Sequence, residues 1–138
     1  MIIYTALANP TNEQVKQIIA LYRHEQWWSK DADDPDLVKG IIAGSHLFLA
    51  AIEDNVVVGM GRALSDRISD AYIQDITVQK EYRGRGIGTE IIRELIKRLR
   101  ADGIEWIGLI AERGSHEFYS RIGFNKMSNA IPMLRIYP

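Results

Sequence analysis

Apolar positions recur along this chain with two different periods, and the switches between them mark its elements. After a short apolar start, Asn9-Pro10-Thr11-Asn12 reads as a turn with a helix N-cap, and Val15, Ile18, Ile19 and Tyr22 follow at helical spacing. A first helix of about three turns is predicted. Asp31 to Asp36 is an acidic loop, from which Asp34 or Pro35 opens a second helix through Leu37, Val38, Ile41 and Ile42, stopped by Gly44. The period then shortens. His46 to Glu53 is compact and apolar, Asp54-Asn55 is a turn signal, and Val56 to Leu64 is β-branched before it turns polar, so the two runs predict a hairpin. A third strand is expected from Ala71 to Val78. Beyond it, Gly84-Arg85-Gly86-Ile87-Gly88 leads into Ile91, Ile92, Leu95, Ile96 and Leu99, which share one face of a helix that Asp102-Gly103 ends. Ile104 to Ala111 is nearly all apolar and reads as a strand covered on both faces. Strand, helix and strand make a βαβ unit, so Ala71–Val78 and Ile104–Ala111 should run parallel with a right-handed crossover. A helix over His116 to Ile122, capped by Gly123, precedes two closing strands at Phe124–Met127 and Met133–Tyr137. The predicted fold is α/β, with a mixed β-sheet and a central βαβ unit flanked by helices.

Length and composition fit that picture. With 138 residues the chain is expected to form one domain over 1–138, large enough to bury a core without staples. The 17 Lys plus Arg balance 18 Asp plus Glu for a net charge of -1, which gives no global reason to bind nucleic acid or an anionic membrane. Any anion must be gripped locally. The absence of cysteine removes disulfides, thiolate metal ligands and a cysteine nucleophile, and fits a reducing cytoplasm. Met1-Ile2-Ile3-Tyr4-Thr5 lacks a basic leader, and charges interrupt each apolar run before it reaches the length of a bilayer span, so a soluble cytoplasmic protein is expected.

The glycine turn supplies a local grip. Gly84, Gly86 and Gly88 alternate directly before a helix, letting several backbone N–H groups point outward with no Cβ in the way, and the helix N-terminus adds partial positive charge. Arg83 and Arg85 stand beside it. A P-loop would need Lys and Ser/Thr after its last glycine, whereas Gly88 is followed by Thr89-Glu90. The dinucleotide fingerprint read from Gly84 would put glycine where Thr89 stands.

Arg83-Gly84-Arg85-Gly86-Ile87-Gly88 resembles the acyl-coenzyme A motif of the GNAT N-acetyltransferase superfamily, Q/R-x-x-G-x-G/A, with Arg83, Gly86 and Gly88 at its fixed positions. Phe118-Tyr119-Ser120-Arg121-Ile122-Gly123-Phe124 resembles that family's F-Y-x-x-x-G-F segment, and the order of elements is similar over essentially the whole chain. The resemblance implies acetyl-coenzyme A as co-substrate, without a metal. Its pyrophosphate would lie on the amides of Arg83, Gly84, Arg85, Gly86, Ile87, Gly88 and Thr89, and its pantetheine arm along Ile76, Thr77 and Val78 as an added strand. Tyr119 matches the family's tyrosine acid, which reprotonates the leaving thiolate. Many relatives have asparagine seven positions before that tyrosine, where this chain has Glu112; Glu112, Asp75 and His116 are alternative bases.

Acceptor specificity in this fold is implied to lie in the first two helices and their loop, together with the closing strands. Tyr22, Trp27 and Trp28, with His24, Asp31, Asp33, Asp34 and Asp36 nearby, would suit a cationic amine, and a small-molecule amine is the expected partner. Arg93, Lys97, Arg98 and Arg100 interleave with Glu90 and Glu94, which reads as a solvated helix face with Glu94 and Arg98 paired one turn apart. The closing strands could also pair between two copies as a homodimer. Three other functions stay open: an acyl-coenzyme A-binding or sensing module with little turnover, an acetyltransferase of protein lysines or N-termini, and a nucleotide-binding regulator.

Overall fold

The computed structural model describes residues 1–28 and 34–138. The first helix, α1 (Asn12–His24), starts at Thr11, whose hydroxyl accepts from the Gln14 amide at 3.1 Å while the Gln14 side chain accepts from the Thr11 amide at 2.9 Å. This reciprocal cap satisfies two N–H groups that a helix start otherwise leaves without partners. The second helix, α2 (Pro35–Gly44), takes Asp34 as its N-cap, with the carboxylate 2.9 Å from the Asp36 amide. Asp34 and Asp36 therefore serve a helix start; Asp31 and Asp33 lie outside the described residues.

Five strands follow one another across a single sheet: β1 (Ile3–Ala6), β2 (Leu47–Glu53), β3 (Val56–Ser65), β4 (Asp70–Val78) and β5 (Trp106–Leu109). The first four pair antiparallel, and β5 runs parallel to β4 after the crossover helix α3 (Ile87–Ala101), as the βαβ pattern predicts. The short apolar start is itself a strand, with Ile3 opposite Ile52 and Ala6 opposite Leu49. Helices α1 and α2 bury Val15, Ile18, Tyr22 and Val38 against Phe48, Ala50, Val57 and Met60. On the other face, Ile91, Ile92, Leu95 and Leu99 of α3 lie on Leu49, Ala51, Val58 and Ala63. Glu94 accepts from Arg98 at 3.0 Å on the outer side of α3, the i,i+4 pair expected there.

Glycine lets α3 approach the sheet this closely. A Cβ at Gly61 would stand 2.3 Å from Ile76 Cδ1 and 2.9 Å from Ile91 Cγ2, and one at Gly59 would lie 3.1 Å from Ile91 Cδ1. At the far end of the sheet, His46 bridges Ser65 through Nδ1 and Asp102 through Nε2, the latter at 2.8 Å, tying the end of α3 to the sheet. The β3–β4 turn is held by Asp66, whose carboxylate accepts from the amides of Ile68, Ser69 and Asp70 and from the Ser69 hydroxyl.

Two expectations fail at the C-terminal side. The run Ile104–Ala111 is not a strand covered on both faces: its strand is β5, which ends the sheet and leaves Trp106 and the following Ile110 39% and 60% exposed. Phe124–Met127 and Met133–Tyr137 are not strands, because neither segment reaches a strand edge in the same chain to supply hydrogen-bond partners. The last helix, α4 (His116–Ser120), ends close to its predicted stop.

Gly61→Val should destabilise the protein by about 1–3 kcal/mol through overpacking under α3, measurable by denaturant unfolding. The hydrogen bonds of Asp66, those from the Ser69 and Ile68 amides foremost, hold its carboxyl well below the usual carboxylate range. A group depressed in this way stabilises the fold above its unfolded pKa of ~3.9 and loses that effect as pH falls toward its folded value. Asp66→Ala should therefore lower Tm at pH 7, and the gap to the parent should narrow as pH drops below that window.

Candidate active site

Strand β4 is longer than its parallel neighbour. Pairing with β5 runs from Asp70–Trp106 to Ile73–Leu109 and stops, while β4 continues to Val78. Within that continuation Met60 faces Thr77 but Arg62 faces Gln74, so β4 carries one extra residue opposite β3. Asp75 sits at this bulge with φ of 59°, a left-handed conformation uncommon outside glycine. Its Oδ2 accepts from Arg62 Nε at 2.6 Å and from the Tyr22 hydroxyl at 2.7 Å. Burial and the Asp75 carboxylate push the Tyr22 hydroxyl far above the ordinary phenol range, so Tyr22 is a fixed donor to Asp75.

The unpaired length of β4 forms one wall of a cleft of about 1010 Å³ that reaches from Tyr72 and the end of β5 to the glycine turn. Ile76, Thr77 and Val78 line it, as do Arg83, Gly84, Gly86, Ile87, Gly88 and Thr89. Gly84 and Gly86 adopt φ of 77° and 78°, and Gly86 caps α3 without any side chain bonding to the first amides. Nothing lies within 4 Å of where a Cβ on either glycine would be. Open space thus faces an uncapped helix of four turns, which fits the phosphates of a coenzyme A.

The two arginines expected beside this cradle turn elsewhere. Arg83 lines the cleft but donates to Val78 O at 2.9 Å and Glu25 Oε1 at 3.0 Å. Arg85 does not line it; its guanidinium reaches Glu53 at 3.3 Å and lies over the Tyr82 ring. Glu25, which the sequence does not single out, is a junction in the cleft wall. It accepts from Thr77 Oγ1 at 2.6 Å, from Arg83, and from Arg113 Nη1 at 3.2 Å, while Arg113 also donates to the Glu25 carbonyl at 2.8 Å.

Tyr119 lines the same cleft from α4. Gly123, at φ of 104°, lets the chain turn back after this helix, so the Phe124 amide bonds the Tyr119 carbonyl at 3.1 Å and the Phe124 ring packs 6.0 Å from Tyr119. Phe118 meets the ring on another side at 5.0 Å. Burial raises the Tyr119 hydroxyl above its ordinary value, so it stays protonated at neutral pH. The F-Y-x-x-x-G-F run is thus a device for fixing this one ring.

Among the described residues three carboxylates line the cleft: Glu25, Asp75 and Glu112. Arginines occupy the first two; among the described residues Glu112 has no side-chain hydrogen bond or ion pair. His116 stands outside the lining. Of the three aromatic residues expected to meet the acceptor, Trp27 lines the cleft, whereas Tyr22 is buried to 2% exposure with Trp28 stacked on it at 4.2 Å. Among the described residues no helix is long and apolar enough to cross a membrane.

Comparison with known proteins agrees with this geometry. Residues 6–124 match the model of the acetyltransferase (GNAT) family. An uncharacterized N-acetyltransferase ycf52 of Porphyra purpurea is 32% identical over 105 residues, covering 73% of this chain and 60% of the relative. The histone acetyltransferase TAP1 of Glycine max is 36% identical over 86 residues, which are 62% of this chain and 37% of the relative. The chain therefore spans about 60% of the first relative's length and less of the second's. Among solved structures, an aminoglycoside acetyltransferase from an uncultured soil metagenomic sample, in complex with trehalose, superposes with a TM-score of 0.80 at 18% identity, over 99% of this chain and 97% of its own. Cleft, cradle and sequence match lead to one assignment: the chain belongs to the acetyltransferase (GNAT) family.

Proposed function

We propose that the protein transfers an acetyl group from acetyl-coenzyme A directly to a primary amine of a small molecule. One observation carries this reading: a protonated, half-buried tyrosine and an uncapped glycine helix start open into the same cleft. Acetyl-coenzyme A, when bound, supplies an acetyl group activated as a thioester. The amides at the start of α3 would hold its phosphates, and the free edge of β4 at Ile76, Thr77 and Val78 its arm.

The protein's own task is then positioning and proton movement. An alkylammonium acceptor with a pKa near ~10.4 is nucleophilic in only about one molecule in two thousand at pH 7, a deficit of roughly 4–5 kcal/mol. Among the described residues, Glu112 is the cleft carboxylate free to take that proton, because Glu25 and Asp75 are committed to arginines. As the amine nitrogen bonds to the carbonyl carbon and the carbon–sulfur bond breaks, the departing sulfur takes the Tyr119 proton, and the second proton that the acylated nitrogen sheds restores the Tyr119 hydroxyl. Asp75 acts as a positioning residue that holds the bulge. Trp27 gives the acceptor end of the cleft an aromatic face suited to an alkylammonium. The aminoglycoside acetyltransferase, named for an amine-rich small molecule, supports that acceptor class, whereas the histone acetyltransferase supports a protein lysine as the competing one.

Release of free thiol from acetyl-coenzyme A should accelerate with members of a panel of small amines and polyamines. Acceleration by peptide lysines alone would move the reading to the competing class, and none with either would leave a binding module. Tyr119→Phe should lower kcat by about 10²-fold or more while coenzyme A binding is retained. Glu112→Gln should remove the rise of kcat/KM on the acidic side of the pH profile; a profile unchanged in shape would take the base role from Glu112.

A further inference from the structure

Arg113, in the loop between β5 and α4, has no part in the transfer chemistry above, yet its side chain ties the two sides of the cleft together. Nη1 donates to Glu25 Oε2 at 3.2 Å and Nη2 to the Glu25 carbonyl at 2.8 Å. Glu25 in turn accepts from Thr77 Oγ1 on β4 at 2.6 Å. Strands β4 and β5 last pair at Ile73 and Leu109, so the gap between them has a tie at each end: the strand pairing at one, the relay from Thr77 through Glu25 to Arg113 at the other. Glu112 lies on the short stretch between these ties, directly beside the second.

Among the described residues the Glu112 side chain has no hydrogen bond or ion pair, and its carbonyl accepts from the Ser115 amide at 3.1 Å. Its place is therefore set by the main chain. That main chain is bent: Arg113 and Gly114 have φ of 56° and 74°, and a left-handed arginine persists where its surroundings hold it. The two bonds to Glu25 are that hold. Tyr119 differs, because the rings of Phe118 and Phe124 fix it independently of Arg113. Charge favours the same division of roles: Glu25 meets the guanidinium, which leaves Glu112 outside the ion pair and able to accept a proton. We propose, on the reading of Glu112 as the base, that Arg113 is its positioning residue, holding Glu112 at the cleft through the clasp on Glu25. A base acts only within hydrogen-bond reach of the proton it removes, so slack in this loop lowers the rate and leaves the coenzyme's hold intact.

A double-mutant cycle tests this, with thiol release from acetyl-coenzyme A measured for the parent, Arg113→Met, Glu112→Gln and the double variant, and with n-butylamine and putrescine as acceptors. The Arg113 side chain is 57% exposed and methionine keeps its stem, so the fold survives the change. Arg113→Met should lower kcat on the order of 10–100-fold with the KM for acetyl-coenzyme A unchanged, and should lower it no further once Glu112 is replaced. Arg113→Lys, which keeps a charged donor for Glu25, should recover part of the rate. The same factor lost in both backgrounds, or none lost in either, overturns the inference while leaving the base in place. Glu112→Gln as fast as the parent removes the base itself, and the inference with it.

Discussion

The Asp75 carboxylate holds in place the irregularity on which the cleft depends. A strand residue at φ of 59° costs on the order of 1–3 kcal/mol, and such a bulge persists only when its surroundings over-determine it. Here Arg62 from β3 and Tyr22 from α1 both converge on one oxygen of Asp75. Their hold keeps β4 bent at the point where β5 leaves it. With no bulge and a β5 as long as β4, the backbone of residues 74–78 would be covered by a neighbouring strand and no cleft would exist. The aromatic cluster in α1 and the loop after it follows from the same contact, since Trp28 stacks on the ring whose hydroxyl holds Asp75.

The proposed anion cradle of a chain of almost balanced charge also lies at this end of the sheet. The cationic side chains nearest the cradle are neutralised within the protein, Arg83 by Glu25 and Arg85 by Glu53, so the proposed grip would fall to main-chain amides and the start of α3. Glu25 further joins Arg113, linking the end of α1 to the loop after β5. One carboxylate therefore connects three segments that border the cleft and keeps the walls in register. The pairs are partly exposed, and their worth lies in geometry more than in stability.

Local patterns were legible in the sequence and distant contacts were not. The face of Ile91, Ile92, Leu95 and Leu99, the glycine start of α3 and the hairpin turn at Asp54-Asn55 are each decided within a few residues, and each appears as read. Glu25 gave no signal, because its partners Thr77, Arg83 and Arg113 lie 52, 58 and 88 residues away. The bulge was invisible for a similar reason: Asp75 stands in an ordinary strand pattern, and only Arg62 and Tyr22 force its backbone. Ile104–Ala111 looked covered on both faces because apolar runs report burial without saying what supplies it. In this chain one flank of β5 has no strand beside it, and the closing segments that looked like strands lack an edge of their own.

The central claim is that the unpaired end of β4 and the start of α3 together form the binding surface for coenzyme A. Amide hydrogen exchange with and without coenzyme A measures that surface directly, because it reads main-chain groups and not turnover. Slower exchange is predicted for segments spanning Ile76–Val78 and Gly86–Thr89 on addition of the coenzyme, with little change in β1 and β2. Protection confined to other segments, or no protection at saturating coenzyme, would contradict the account.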